Sequence, residues 1–202
     1  MAAIDQYIVE PAKGDFESLV NNIQSTSNAL QEDARLVINR NVTARAWLTG
    51  FYIVEYEQQG NDRAKYGEGL LKRLAERLDD RSFSLASLKN FRQFYLYYPQ
   101  LAEPVVRYLS AKSGKSQSVI SLLQSFGNFD VIKSQSLISQ LPLHQSATVS
   151  GDGFAMMTTE GEVMPVPQML FNRLSFTHIS KLIHIGDRMK RSFYALEAMR
   201  GP

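Results

Sequence analysis

The feature that most constrains the fold of this chain is a long helical pattern that starts near Asn28 and ends at Gly60, with no proline to stop it. A separate set of apolar residues at helical spacing precedes it, from Phe16 to Ile23. The pattern predicts one long helix, or two helices with a kink between Arg40 and Thr43. The glycine that closes the stretch suits a left-handed C-terminal cap. A chain built around such a segment is expected to be mainly α.

Two shorter helices joined by a polar turn are predicted next. The first has one apolar face, and the segment Asp79–Ser82 has the composition of a tight turn. Ser84 is a good N-cap for the second helix, which must end before Pro99 because the residue preceding a proline avoids the helical region. Two helices with so short a connection predict a helix-turn-helix-like unit.

The second of these helices carries a polar face without any acidic residue. Its apolar side chains gather on one side, and Lys89, Asn90 and Gln93 gather on the other, with Arg92 on the flank. Asn and Gln can form paired hydrogen bonds with adenine, and Arg and Lys with guanine. The pattern predicts a recognition helix in a major groove, with Arg92 toward a phosphate. An ordinary solvated face is the alternative.

The remaining candidate contacts lie on the neighbouring helices. Lys72 and Arg73 of the preceding basic helix are expected to meet phosphates, as first helices of such units do. The C-terminal block resumes a helix at Ser175 or Thr177 and breaks at Gly186, which predicts a second unit of the same kind. The side chains that this second unit would offer are Thr177, His178, Lys181 and Arg188.

The chain is predicted to have four parts. Residues 1–14 are a loose leader, and residues 15–108 form the first helical part. Residues 109–171 are an insertion rich in Ser and Gln, in which "SGDG" and "TEGE" predict a small β-hairpin. Residues 172–202 form a second helical part that packs on the first. The predicted fold is therefore a helical bundle with helix-turn-helix-like units and an insertion carrying a hairpin.

The aromatic residues at helical spacing are expected to form the core rather than a surface on which bases stack. This prediction covers Trp47, Phe94, Tyr95 and Tyr194, which all lie on apolar stripes. Aromatic stripes at helical spacing usually pack inside a protein.

Most kinds of active site find no support in the sequence. There is no cysteine, which removes disulfides and thiolate chemistry and fits a cytoplasmic location. The histidines lack the i, i+4 pairing of a zinc helix. We therefore expect no catalytic residue, no metal site and no cofactor. No apolar run reaches the ~18–20 residues of a membrane span, so no membrane partner is expected.

Charge is distributed unevenly along the chain, although the net charge is only +2. Residues 1–62 hold four Lys or Arg against nine Asp or Glu, residues 63–110 hold nine against five, and residues 177–202 hold five against two. Two basic segments beside an acidic one indicate a face for polyanions on part of the fold.

Three blocks of sequence resemble the N-terminal domain of the YhcG-type PD-(D/E)XK nuclease family of bacteria. They are "WLTGFYIVEYEQQGNDRAKYGEGLLKRLAERL", "FSLASLKNFRQFYLYYP" and "LSFTHISKLIHIGDRMKRSFYALEAMRG". The matching blocks cover roughly residues 28–108 and 172–200. Phe176 stands where the family usually has Trp, which exchanges one aromatic residue for another.

The resemblance implies a helical, DNA-binding targeting domain rather than a nuclease. The family continues into a nuclease domain at about the point where this sequence reads "RGP". An acid-x-Lys element within a strand pattern is not found, and the segment from Phe129 to Lys133 has the wrong spacing. The expected function is binding of nucleic acid, above all duplex DNA, together with a nuclease domain in cis or in trans. RNA stays open as the ligand.

A module for protein interaction or oligomerisation is the alternative function. In that interpretation the long acidic N-terminal helix pairs with a copy of itself or with a partner, and a homodimer is expected. The two functions are compatible, because helix-turn-helix proteins are often dimers. Salt distinguishes them, since binding to phosphates weakens steeply with ionic strength and an apolar helix interface hardly changes.

Overall fold

A computed structural model describes residues 16–59, 67–111, 148–157 and 161–201 of the chain. The predicted leader at residues 1–14 lies outside the described residues, as do Gly60 with its predicted cap and residues 112–147 of the predicted insertion.

Helices dominate the described residues, as the sequence predicts. They are α1 (Phe16–Gln59), α2 (Gly67–Leu78), α3 (Leu85–Tyr97), α4 (Ala102–Ala111), α5 (Pro167–Arg173), α6 (Phe176–Leu182) and α7 (Arg188–Arg200). Short 3-10 turns, Arg81–Phe83 and Pro99–Leu101, precede α3 and α4. Within the described ranges, no helix combines the length and the apolar character that crossing a membrane requires. The break predicted at Gly186 falls between α6 and α7, whereas α4 and α5 were not predicted.

A small antiparallel sheet accompanies the helices. Its strands are β1 (Thr148–Val149), β2 (Ala155–Met157) and β3 (Val163–Pro165), in the order β1-β2-β3. Thr148 pairs with Met157 and Ala155 pairs with Pro165. Gly153, at a φ of 73°, lies in the connection between β1 and β2, where glycine tolerates the left-handed region. The predicted hairpin is confirmed, and the third strand extends it.

The chain divides into two compact units, the first ending at Asn41 and the second beginning at Val42. The described part of the first unit is the portion of α1 from residue 16 to residue 41. Helix α1 is continuous from Phe16 to Gln59, so the predicted long helix is present without a second helix after Arg40, and it also includes the separate pattern from Phe16 to Ile23.

The core of the second unit forms where α1 meets α3. Trp47 is fully buried, and its indole Nε1 donates a hydrogen bond to the Tyr98 carbonyl oxygen at 2.9 Å. The Trp47 ring meets the Tyr95 ring edge to face, with centroids 5.2 Å apart. Gly50 lets the two helices approach closely, because a Cβ built there would lie 2.0 Å from the Phe91 carbonyl oxygen. Trp47 and Phe94 are thus core residues as predicted, and the Tyr95 side chain packs against the core while partly exposed.

Tyr194 was predicted to be a core residue, and this prediction is wrong. Its side chain is 53% exposed. The buried stripe of α7 runs through Arg191, Ala195 and Met199, and position 194 lies on the other side of the helix. Helix α7 carries more apolar residues than one stripe can bury, so Phe193 beside it is exposed as well.

Two tyrosines that pack in or against the core are expected to make the free energy of unfolding fall at alkaline pH. Burial raises the pKa of Tyr98 to about 12, and the neighbouring Arg191 opposes that shift. Burial together with the nearby Glu55 carboxylate raises the pKa of Tyr95 to about 12. The unfolded chain releases these phenolic protons near pH ~10. Between about pH 10 and 12 the folded state therefore binds more protons, and the free energy of unfolding falls as pH rises.

We expect Tyr98→Phe to reduce this decrease in the free energy of unfolding at alkaline pH by up to about 2–3 kcal/mol, since one pKa unit corresponds to ~1.4 kcal/mol. Urea unfolding followed by circular dichroism at pH values on both sides of this window measures it. Tyr194→Phe is the matched control, because it removes a hydroxyl from an exposed ring. Equal pH dependence in Tyr98→Phe and the parent would contradict the assignment.

Candidate nucleic-acid interface

Helices α2 and α3 form a pair joined by a short capped turn. Asp80 accepts a hydrogen bond from the Ser82 backbone N–H at 2.7 Å, which fixes the 3-10 turn between them. The Ser84 side chain accepts from the Ser87 backbone N–H at 3.2 Å and caps α3, as predicted. The two helices contact each other across this turn, and their assignment as a helix-turn-helix-like unit stays a prediction.

The exposed side of α2 is basic. Lys72, Arg73 and Arg77 are exposed there, and Glu76 is the acidic residue among them. Leu70 and Leu71 on the opposite side of the helix are buried. The amphipathic pattern of α2 thus turns its cations outward, where they could meet a polyanion.

The polar face of α3 divides into an exposed part and a part that is less exposed. Ala86 and Lys89 are exposed, and Asn90 is half-buried. Arg92 donates from Nε to both carboxylate oxygens of Glu57, at 2.8 and 3.1 Å. The Glu57 side chain is only 16% exposed and that of Arg92 is 39% exposed, so this ion pair is partly withdrawn from water. The pair attaches α3 to the end of α1.

Gln93 attaches the same face of α3 to α6. Its Nε2 donates a hydrogen bond to the Ile183 carbonyl oxygen at 2.8 Å. Beneath this contact the Phe176 ring packs against the rings of Phe91 and Phe94, with centroids 5.3 and 5.9 Å away. The aromatic residue at position 176 therefore couples the two predicted helix-turn-helix-like units through the core.

Helix α6 carries exposed polar residues of its own. His178 and Lys181 are exposed, and Lys181 lies two residues before Ile183, which receives the Gln93 hydrogen bond. The His178 Nδ1 lies 3.2 Å from the Ser175 hydroxyl and takes part in capping α6. Its Nε2 has no such role there, so the ring can still offer one nitrogen outward.

The two α3 contacts border a cleft of about 480 Å³ on the second unit. Its lining combines apolar, aromatic and charged side chains, namely Glu57, Leu71, Lys89, Arg92, Gln93, Leu96 and Tyr97. Lys89 thus lies where the exposed part of α3 borders this cleft.

Two residues that shape the site were given no role by the sequence. Glu57 is the partner of Arg92, although its spacing from Glu55 indicated only that the two acids do not share a helical face. Arg191 is buried, lies 3.9 Å above the Tyr97 ring and donates to the Ile185 carbonyl oxygen at 2.7 Å. The sequence signal that could have identified Arg191 is an arginine on the apolar side of a helix.

The expectations of no metal site and no catalytic residue stay predictions. Within the ranges that the structure covers, no three His, Asp or Glu side chains come together in a group that could hold a metal ion.

Comparison with known proteins places these features in context. The model of the DUF1016 N-terminal domain matches residues 22–123. A protein of Escherichia coli (strain K12) named "Putative nuclease YhcG" is 40% identical over 79 residues, which is 38% of this chain and 21% of that protein. The chain thus matches about a fifth of the length of that relative. No solved structure matches the chain.

Proposed function

The chain belongs to the DUF1016 N-terminal domain family, and from that premise we propose that it binds duplex DNA as the targeting part of a nuclease system. The relative in Escherichia coli bears the name of a nuclease. In the proposal the cleaving activity resides in a nuclease domain in cis or in trans, and this chain supplies binding. A cytoplasmic location follows from such a role.

The observation that carries the proposal is the placement of exposed cations on two helices that a capped turn joins. Lys72 and Arg73 lie on α2, and Lys89 lies on α3 beyond a turn that two side-chain caps fix. Cations held on such a frame can follow the phosphates of a duplex without first paying an ordering cost. Asn90, on the same turn of α3 as Lys89, can read a base edge.

The internal contacts give Arg92 and Gln93 a positioning role in this proposal. Arg92 is held by Glu57 and Gln93 by Ile183, so both side chains fix the direction of α3 rather than extend from it. Their contacts with DNA stay predictions. Arg92 has its Nη donors and Gln93 its carbonyl oxygen to offer for such contacts. His178 and Lys181 provide a second contact region on α6.

The salt dependence of binding tests the proposal. We expect the logarithm of the association constant for a duplex to fall linearly with the logarithm of salt concentration. Lys72→Ala with Arg73→Ala should weaken binding to all sequences alike and reduce the slope by about 2, since each phosphate contact contributes ~1. Fluorescence anisotropy with labelled duplexes at several salt concentrations measures both effects.

A matched control removes two arginines elsewhere. Arg35→Ala with Arg107→Ala changes the net charge equally, and both side chains are exposed and lie outside the proposed interface. The slope should then stay close to that of the parent. If the control reduces it as much as the α2 variant does, binding follows net charge and the proposed interface is wrong.

Lys89→Ala with Asn90→Ala distinguishes base reading from a solvated face. A contact with a base edge is worth about 1–3 kcal/mol for the preferred sequence and little for other sequences. A matching duplex RNA as competitor decides between the two nucleic acids. If the parent binds neither duplex at low salt, the proposal is wrong. The protein-interaction alternative is then favoured, and the exposed apolar residues in the N-terminal part of α1 support it.

A further inference from the structure

The part of α1 in the first unit exposes a regular row of large apolar side chains. Phe16, Ile23 and Leu30 are 74%, 61% and 51% exposed and follow one another at intervals of seven residues. The same spacing leads on to Ala44 and Phe51, which are buried in the core of the second unit. Phe16, Ile23 and Leu30 thus form an exposed apolar row within the first unit.

This row has the heptad pattern of a coiled-coil seam. With Phe16 at a d position, the d positions from residue 16 to residue 41 are all apolar, and the a positions hold valine and three small or polar residues. The d residues are Phe16, Ile23, Leu30 and Val37, and the a residues are Val20, Ser27, Ala34 and Asn41. None of these side chains is charged, so a second helix can approach the seam without burying a charge.

We propose that this segment, the α1 seam, pairs in antiparallel orientation with the α1 seam of a second copy of the chain. Most of the stability of a helix in a protein comes from packing one apolar face rather than from helix propensity. The seam spans about 39 Å at a rise of ~1.5 Å per residue, so the pair would join two chains along a defined length.

The seam is complementary to itself when the two copies run in opposite directions. In an antiparallel pair a residue at an a position faces a residue at a d position of the other copy. The resulting layers are Phe16 with Asn41, Val20 with Val37, Ile23 with Ala34, and Ser27 with Leu30. In three of these four layers a large side chain meets a small or polar one, which is how facing positions fill space without voids.

The charged side chains stay off the seam. In this register Glu17, at an e position, and Arg40, at a g position, lie on opposite sides of the interface, so the layers and not the charges set the proposed orientation. Glu32 and Arg35 lie off the seam and neutralise each other within one helix, with N–O distances of 2.6 Å and above.

The oligomeric state tests whether the seam pairs. We expect multi-angle light scattering to show the parent moving from 22.8 kDa toward twice that mass as concentration rises into the high micromolar range. Ile23→Asp with Leu30→Asp should raise the dissociation constant of the dimer at least ~100-fold, since burying unpaired carboxylates in the interface strongly disfavours association. Asn21→Asp with Asn28→Asp is the control, because it adds the same charges at the same spacing off the seam.

Spin labels test the orientation, and the lack of native cysteine makes each introduced thiol unique. Ser18→Cys and Ser25→Cys occupy the same heptad position on the outer side of α1. A parallel pair predicts equal label distances for the two variants. The antiparallel register predicts separations along the axis of about 32 Å for position 18 and about 11 Å for position 25, from the ~1.5 Å rise per residue.

The outcomes separate cleanly. A parent that stays monomeric at millimolar concentration overturns the proposal, and so does a dimer that the seam variant and the control weaken equally. Equal distances at positions 18 and 25 overturn the antiparallel register. None of these measurements involves nucleic acid, so they stand apart from the proposed DNA binding.

Discussion

Gly50→Ala should destabilise the fold by roughly 3 kcal/mol or more, although alanine is the better helix former. In an exposed helix the same change stabilises by ~1 kcal/mol. At Gly50 the added Cβ would lie 2.0 Å from the Phe91 carbonyl oxygen and 2.9 Å from the Tyr95 Cβ. The first is a backbone atom of α3 and the second is a Cβ, and neither moves when a side chain changes rotamer, so no rotamer change relieves the clash. Helix α3 would have to move away from α1. We expect the free energy of that movement to reach or exceed the upper end of the usual cost of overpacking, about 1–3 kcal/mol.

Gly69→Ala is the control for Gly50→Ala. Gly69 lies in α2, and a Cβ there would meet nothing within 4 Å. This variant should therefore be slightly more stable than the parent. Thermal unfolding followed by circular dichroism compares the two, and equal stability of both variants would show that α1 and α3 do not approach as closely as the structure has them.

The sequence predicts the local features of this fold well. The N-cap at Ser84, the end of α3 before Pro99 and the burial of Trp47 and Phe94 each depend on a few neighbouring residues or on a single period of 3.6. Helix α5 was not predicted, because its seven residues are too few to show a period. Tyr194 shows the opposite limit, since a helix with two apolar sides does not reveal which side meets the core.

The contacts that shape the candidate site could not be predicted for a different reason. Arg92 finds its partner 35 residues away in the chain, and Gln93 finds its partner 90 residues away. The partner of Gln93 is a backbone carbonyl, which carries no side-chain signature. A polar face without acids can therefore be drawn on a helical wheel, but whether its donors face solvent depends on which helix packs beside them.

In the proposed function, α3 depends on those long-range contacts for its direction. The ion pair to Glu57 ties it to α1 and the hydrogen bond to Ile183 ties it to α6, while its apolar side lies in the core. Three attachments fix the direction of the helix, and a fixed direction is what base contacts require. The attachment through the core has the largest energetic effect of the three.

Phe94→Ala should cost about 3–5 kcal/mol of unfolding free energy, the usual range for truncating a fully buried phenylalanine. Phe94 has no exposed surface, and its ring contacts those of Tyr98 and Phe176 at centroid distances of 5.8 and 5.9 Å. The cavity would open between α3 and α6, where backbone held by the Gln93 hydrogen bond limits collapse. Little relaxation is available to offset the loss, which favours the upper end of the range.

Urea unfolding measures this loss through Trp47, the only tryptophan of the chain and a fully buried one, whose emission shifts to the red when the core opens. Phe193→Ala is the matched control, since it removes the same ring from a position that is 57% exposed and should change stability by no more than ~0.5 kcal/mol. If both variants unfold at the urea concentration of the parent, Phe94 does not join α3 to the core. A loss confined to Phe94→Ala, with the slope of the transition unchanged, identifies a cavity in an otherwise intact fold.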